Sequence, residues 1–232
     1  MRTFAVCLLA VGASCGGDDG HGATSLDDFS GELSTANCAK QFECCTGAEI
    51  TAQYMGITYD GHAIETEAQC VEFTNAVFSS LAIAHYRTSI EQGRATYDGD
   101  AAGDCIGAIE EIACAQFTTG TIGTGTDCRP FLLPKVTDGG ACTQDYECTS
   151  DNCEGATNPI DGPSTDGACA PMPGDGEPCD DNCATGLYCT SDLCAPTKAD
   201  GQACNVRDEC ESGYCDTTAR LCAAKPVTCD GT

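Results

Sequence analysis

The chain has no tryptophan, only 3 histidines, and 10 lysines and arginines against 36 aspartates and glutamates. A formal net charge of −26 excludes nucleic acid as a natural partner, because phosphate recognition needs Lys and Arg to displace counterions. The acids are spread evenly, 18 in residues 16–137 and 18 in residues 138–232, which implies solubility and repulsion from anionic surfaces more than one steering patch. No apolar run approaches the roughly 18 residues of a spanning helix. No two cysteines are separated by two residues, so C-x-x-C redox sites and the commonest zinc spacings are missing. Gly120, Gly123 and Gly125 are not followed by Gly-Lys-Ser/Thr, which leaves a phosphate loop unsupported.

What is abundant is cysteine, 22 of 232 residues, a level that marks a disulfide scaffold made in an oxidising compartment. The N-terminus fits export. Arg2 supplies a positive start, Phe4 to Ala13 an apolar run, and Gly12, Ala13 and Ser14 a small-residue approach to Cys15. This stretch resembles a bacterial lipoprotein signal, although Gly12 stands where such signals usually carry Leu. The resemblance implies cleavage after residue 14 and lipidation of Cys15; an ordinary signal peptide cut nearby is the other reading. Parity favours the anchor. With Cys7 removed and Cys15 acylated, an even 20 cysteines remain for pairing. Residues 15–25, rich in Gly and Asp and holding His21, read as a flexible tether.

Composition then divides the chain. Residues 26–136 hold 28 large apolar or aromatic residues and seven cysteines; residues 138–229 hold ten and thirteen. The first stretch can bury an apolar core and the second cannot, so bridges must replace it. Residues 26–119 therefore read as a helical domain linked by disulfides of Cys38, Cys44, Cys45, Cys70, Cys105, Cys114 and Cys128. Leu26, Phe29, Leu33, Ala36 and Ala39 recur at helical steps behind Asp27 and Asp28. Thr66-x-x-Gln69 opens a second helix, with Cys70, Thr74, Val77, Leu81, Ala84 and Thr88 on one face and Gly93 as its stop. Asp100 is expected to cap a third helix through Cys105, Ile106, Ile109, Ile112, Cys114 and Phe117. Residues 46–65 are expected to be irregular, and residues 120–137 to be a linker.

Residues 138–224 repeat themselves. DGGAC at Asp138, DGEPC at Asp175 and DGQAC at Asp200 begin three units, at 138–173, 174–197 and 198–224, and each closes on Cys-Ala. Their cysteines are Cys142, Cys148, Cys153 and Cys169; Cys179, Cys183, Cys189 and Cys194; and Cys204, Cys210, Cys215 and Cys222. Four cysteines per unit allow two bridges in three possible connectivities. Asp-Gly turns and short β-hairpins between cross-links are expected. Residues 225–232, with Cys229, form a tail. The fold class is thus small and disulfide-rich: a helical domain followed by three irregular or short-hairpin repeats.

The run DGEPCDDNCATGLYCTSDLCAP followed by DGQACNVRDECESGYCDTTARLCA resembles the Dickkopf N-terminal cysteine-rich type of repeat. Similar repeats sit on bacterial surface lipoproteins, and the Cys38, Cys44, Cys45 arrangement and GRATYDGDAAGDC are similar to the region preceding them there. The resemblance implies a cysteine-braced recognition scaffold and transfers no Wnt antagonism.

Catalytic signals are poor. GASCG matches a nucleophile elbow by letter but lies at the cleavage site. Asp98, Asp100 and Asp104 begin like a calcium loop, which then fails at Ala102 and Ile109. Cys44–Cys45 could be a vicinal redox pair, but two separate partners fit a secreted scaffold better. His62 and His85 have no identifiable partner. The expectation is a non-enzymatic, lipid-anchored protein of the cell envelope or outer membrane surface, or an extracellular one, with no cofactor and no metal. It would recognise a protein or envelope partner through Thr143–Glu147, Thr185–Tyr188 and Glu211–Tyr214, touching membrane only by its anchor. A protease inhibitor or diffusible ligand is the alternative, and a hydrolase comes last.

Overall fold

The computed structural model describes residues 22–54, 57–116, 130–157, 165–179, 182–225 and Cys229. The signal and tether through His21, the lipidation candidate Cys15, and Phe117 to Arg129 with Cys128 lie outside the described residues.

Helix α1, Leu26–Cys44, starts at Ser25, whose hydroxyl accepts the Asp28 N–H at 3.2 Å. Phe29, Leu33 and Ala36 face inward as the spacing predicts, but Ala39 is exposed and the buried face continues through Lys40, Gln41 and Cys44. The described residues within 46–65 are more ordered than expected. Thr46 and Glu49 form a capping box for α2, Gly47–Gln53. A two-residue hairpin follows, β1 Thr58–Tyr59 with β2 His62–Ala63. It turns at Asp60 and Gly61, both at positive φ, which an Asp-Gly pair tolerates.

Thr66 and Gln69 make the expected capping box for α3, Glu67–Phe78. The next five residues, Ser79–Ile83, form a π-turn before α4, Ala84–Glu91. An i→i+5 turn inserts one residue into the helical phase. The face expected to be core therefore turns outward from this point: Leu81, within the π-turn, is 57% exposed, and Ala84 and Thr88 after it are exposed; Val77, ahead of it, is already exposed at the end of α3. Ile83, Tyr86 and Ser89 take the inward places.

Strand β3, Ala95–Tyr97, leads into α5, Gly99–Glu111. The cap is Asp98, not Asp100: the Asp98 carboxylate accepts the Ala101 N–H at 3.0 Å from an extended backbone, while Asp100 sits exposed in the first turn. Gly99 is needed, since a Cβ there would lie 2.8 Å from the Thr24 carbonyl oxygen. The helix stops at Glu111, so Cys114 lies beyond it in a 3-10 turn, Cys114–Gln116. The end of the expected linker is structured: β4, Leu132–Pro134, pairs antiparallel with β3.

Phe29, Leu33, Ala36, Ile83, Ala102, Ile106 and Ile109 form the core, ringed by Phe78, Tyr86, Tyr97 and Phe131. Three disulfides with both cysteines among the described residues brace this region: Cys38–Cys70 joins α1 to α3, Cys44–Cys114 joins α1 to the turn after α5, and Cys45–Cys229 returns the tail to the end of α1. The vicinal cysteines thus have separate partners. Cys105 is disulfide-bonded as well. Bridges over 32 and 70 residues each stabilise by about 4 kcal/mol in a chain-entropy treatment.

Beyond residue 137 each cysteine group pairs in one way, first with third and second with fourth. The bonds are Cys142–Cys153 and Cys148–Cys169, Cys179–Cys189 and Cys183–Cys194, and Cys204–Cys215 and Cys210–Cys222. Strands are short: β5 Ala141–Cys142, β7 Gly167–Cys169 and β6 Cys153–Glu154 form one sheet with β7 central. The next two groups hold antiparallel pairs, β8 Leu187–Thr190 with β9 Leu193–Pro196, and β10 Cys215–Asp216 with β11 Leu221–Cys222. The Asp-Gly glycines Gly139, Gly176 and Gly201 have positive φ and donate N–H to the carbonyl of the group's last cysteine at 2.7, 2.8 and 2.8 Å.

Candidate recognition surface

The residue just before the second cysteine contacts the preceding region directly in the first two groups, and in the third it acts through Lys198 at the start of the group. In the first group it is Glu147, fully buried in a 3-10 turn, Asp145–Glu147. Its carboxylate accepts the Ser89 hydroxyl at 2.5 Å and the Thr143 N–H at 2.7 Å, and the Arg94 guanidinium lies 3.6 Å away. Arg94 also reaches Asp166 at 3.0 Å, so one cation of the helical region holds two acids of the first cysteine group. Tyr146 stacks edge-on against Tyr86, with ring centroids 5.3 Å apart, and burial pushes its phenol up to about 12, helped by the Glu147 charge.

The third group repeats the device with Glu209. Its carboxylate accepts the Asn205 N–H at 3.2 Å and pairs with the Lys198 ammonium at 2.5 Å. The hydrogen bond to Lys198 holds this carboxyl below its ordinary range, and the bond to Glu209 raises the ammonium. Lys198 also lies 5.8 Å from the Tyr188 ring of the second group. Lys198 and Val136 occupy matching places: each carbonyl accepts the N–H after the second cysteine, from Glu211 at 2.9 Å and Thr149 at 2.8 Å.

The second group differs. Pro173 still accepts from Ala184 N–H at 2.9 Å, but as a proline it has no N–H to return. Asn182 stands where the others have Glu, and its amide donates to Asp145 of the first group at 3.0 Å. The other Asp145 oxygen accepts the Cys153 N–H at 2.7 Å, which caps the free side of β6.

Around this lightly tied joint opens a cavity of about 1040 Å³ between the first and second groups. Pro171, Met172, Pro173 and Pro178 give it an apolar wall, and Asp145, Glu154 and Glu177 its charge. No Lys, Arg or His is among the described residues lining it. Gln144 lines it as well, and its amide nitrogen has no acceptor among the described residues. A smaller cavity of about 530 Å³ lies by α1, where Asp27 is paired with Arg87 and Glu32 accepts from Thr24.

Of the three loops expected to make contacts, Thr143–Glu147 is mostly turned inward: Glu147 and Tyr146 hold the helical region, and only the Thr143–Asp145 side reaches the cavity. Thr185–Tyr188 and Glu211–Tyr214 lie away from it. Sequence reading missed Glu147, Glu209 and Arg94, although a Glu directly before the second cysteine of two groups was a visible signal. His62 and His85 have no hydrogen-bond partner among the described residues. Asp100 and Asp104 sit within α5 rather than in a loop.

Nine disulfides have both cysteines among the described residues, a framework suited to an exported or extracellular protein. No helix among the described residues is long and apolar enough to cross a membrane. No family model, curated protein or solved structure matches the chain.

Proposed function

We propose that this chain is an exported cell-envelope protein, lipid-anchored at Cys15, that works by recognition and not by catalysis. The three cysteine groups are read as copies of one Dickkopf-type module, a reading supported by their common bridge pattern and the shared glycine-to-cysteine hydrogen bond. The observation that carries the proposal is the cavity between the first two groups. It is concave, mixed in polarity and framed by four disulfides, so a partner meets a surface already organised for it. Two serines among the described residues donate to a carboxylate at short range: Ser89 to Glu147, where both are buried at the joint with the helical region, and Ser25 to Asp28 at 2.6 Å, where the pair caps α1.

Two measurements test this reading. The intact mass of protein from the host's membrane fraction, before and after alkylation, is expected to show acylation at an N-terminal Cys15 and no free thiol. A chain cut elsewhere and found only in the medium overturns the anchor. Hydrolysis of a general ester or peptide substrate, abolished by Ser89→Ala, overturns the non-catalytic reading.

A further inference from the structure

We propose that the cavity between the first two cysteine groups takes an extended, cationic segment of a partner polypeptide; this rests on the recognition reading above and names its ligand class. Charge is the first argument. Asp145 accepts only an N–H and an amide, and Glu177 only the Gly174 N–H at 2.7 Å. The Glu154 carboxylate has no hydrogen-bond or ion-pair partner among the described residues. Three carboxylates thus line one space with no cation among its described lining residues, whereas Glu147, Glu209 and Asp27 elsewhere each have a Lys or Arg. With a chain charge of −26, an anionic partner is repelled at every approach and a cationic one is steered in.

Shape is the second argument. A cavity of about 1040 Å³ exceeds what a compact small molecule fills and suits several residues of extended chain. Pro171, Pro173 and Pro178 are stiff, and Met172 adapts to varied apolar side chains, so aliphatic stems of Lys or Arg can lie on this wall with their heads at the acids. Strand addition is not the mode. The free edge of β6 is closed by the Asp145 cap on Cys153 N–H, leaving side-chain recognition.

The test uses the full, oxidised protein and a fluorescein-labelled octapeptide of alternating lysine and valine, with the glutamate–valine octapeptide as its counterpart. Anisotropy is expected to show binding of the lysine peptide alone, weakening as salt rises from 50 to 300 mM. The double variant Glu154→Gln with Glu177→Gln is expected to lose about tenfold in affinity, because rim charges set such attraction. Glu65→Gln with Glu72→Gln removes the same charge from the exposed side of the helical region and is expected to change it less than twofold. Equal losses in both pairs, or no binding of the lysine peptide at 50 mM salt, overturn the proposal. The same variants are then applied to isolated host envelopes. Wild-type retention that the cavity variant keeps overturns the cavity assignment alone, and retention that it loses supports it. No wild-type retention overturns the recognition reading itself.

Discussion

The helical region and the cysteine-rich region solve the same problem with different atoms. In the first, Phe29, Leu33, Ile106 and Ile109 are buried together, and four aromatic rings close around them. In the second, every buried apolar residue among those described is a cysteine. A sulfur core has too little area to hold a fold by hydrophobic burial, so the cross-links carry it and free most other side chains for the surface. One region stores stability in packing. The other stores it in covalent bonds, and it can vary its loops with small effect on its fold.

Reduction should break this comparison open most widely. Under a strong dithiol reductant, hydrogen exchange in residues 138–225 is expected to rise to unfolded-chain rates. The faces of α1 and α5 around Phe29 and Ile106 should keep measurable protection, although losing Cys38–Cys70 and Cys44–Cys114 weakens them. Simultaneous loss in both regions would show that the apolar core does not stand without its bridges.

Phe29→Ala asks the converse. Phe29 has no exposed surface and touches Phe78, Tyr97 and Phe131. Its truncation should destabilise the helical region by about 3–5 kcal/mol. Denaturant melts followed by exchange should place that loss in residues 26–111 and leave the two distal cysteine groups unmoved. Matching loss in residues 187–222 would mean that the regions fold as one unit.

Between these extremes sit the joints. Glu147→Gln removes the charge facing Arg94 in a buried site and should destabilise by about 2 kcal/mol, with exchange rising in residues 86–94 and 143–149. Glu209→Gln acts on a more exposed pair and should be felt only in residues 196–211, with the smaller effect of the two. The pH window follows from the signs. Glu209 is depressed from 4.5, so its contribution is present above that value and is lost as pH falls through the lower folded pKa. Lys198 is raised from 10.5, so its contribution is present below that value and is lost as pH rises through the higher folded pKa. Equal destabilisation by the two variants would show that burial does not separate the joints.

Much of this was legible in the residues and some was not, for physical reasons. The division near residue 137 follows from composition, because apolar residues and cysteines substitute for one another as cores. Thr66-x-x-Gln69 announces its helix; Thr46-x-x-Glu49 does so equally well, but ahead of a helix of only seven residues, about two turns, it has little periodicity to support it. The π-turn at Ser79–Ile83 leaves no local signature, and by inserting one residue it puts Leu81 on the wrong side of the helix. Pairing within a cysteine group cannot be read from four equivalent thiols. The cavity is harder still: it is made by how two groups sit together, set by Pro173, Asn182 and Asp145, and no single segment contains it.

The finest contrast lies in the tyrosines at the seam of the two regions. Tyr146 belongs to the first cysteine group and Tyr97 to the helical region, yet burial raises both phenols to about 12. The charge of Glu147 adds to the first, and Glu32 and Asp98 to the second. A raised phenol means that the fold holds the neutral form. That contribution is intact below the unfolded value of 10.0 and drains away as pH climbs toward 12. Ultraviolet titration of the oxidised protein should therefore show a late phase near pH 12 after the exposed tyrosines have ionised. Glu147→Gln should bring Tyr146 downward, by removing a neighbouring negative charge, and leave Tyr97 in place. Movement of both phenols together would mean that Glu147 governs the whole seam and not only its own side.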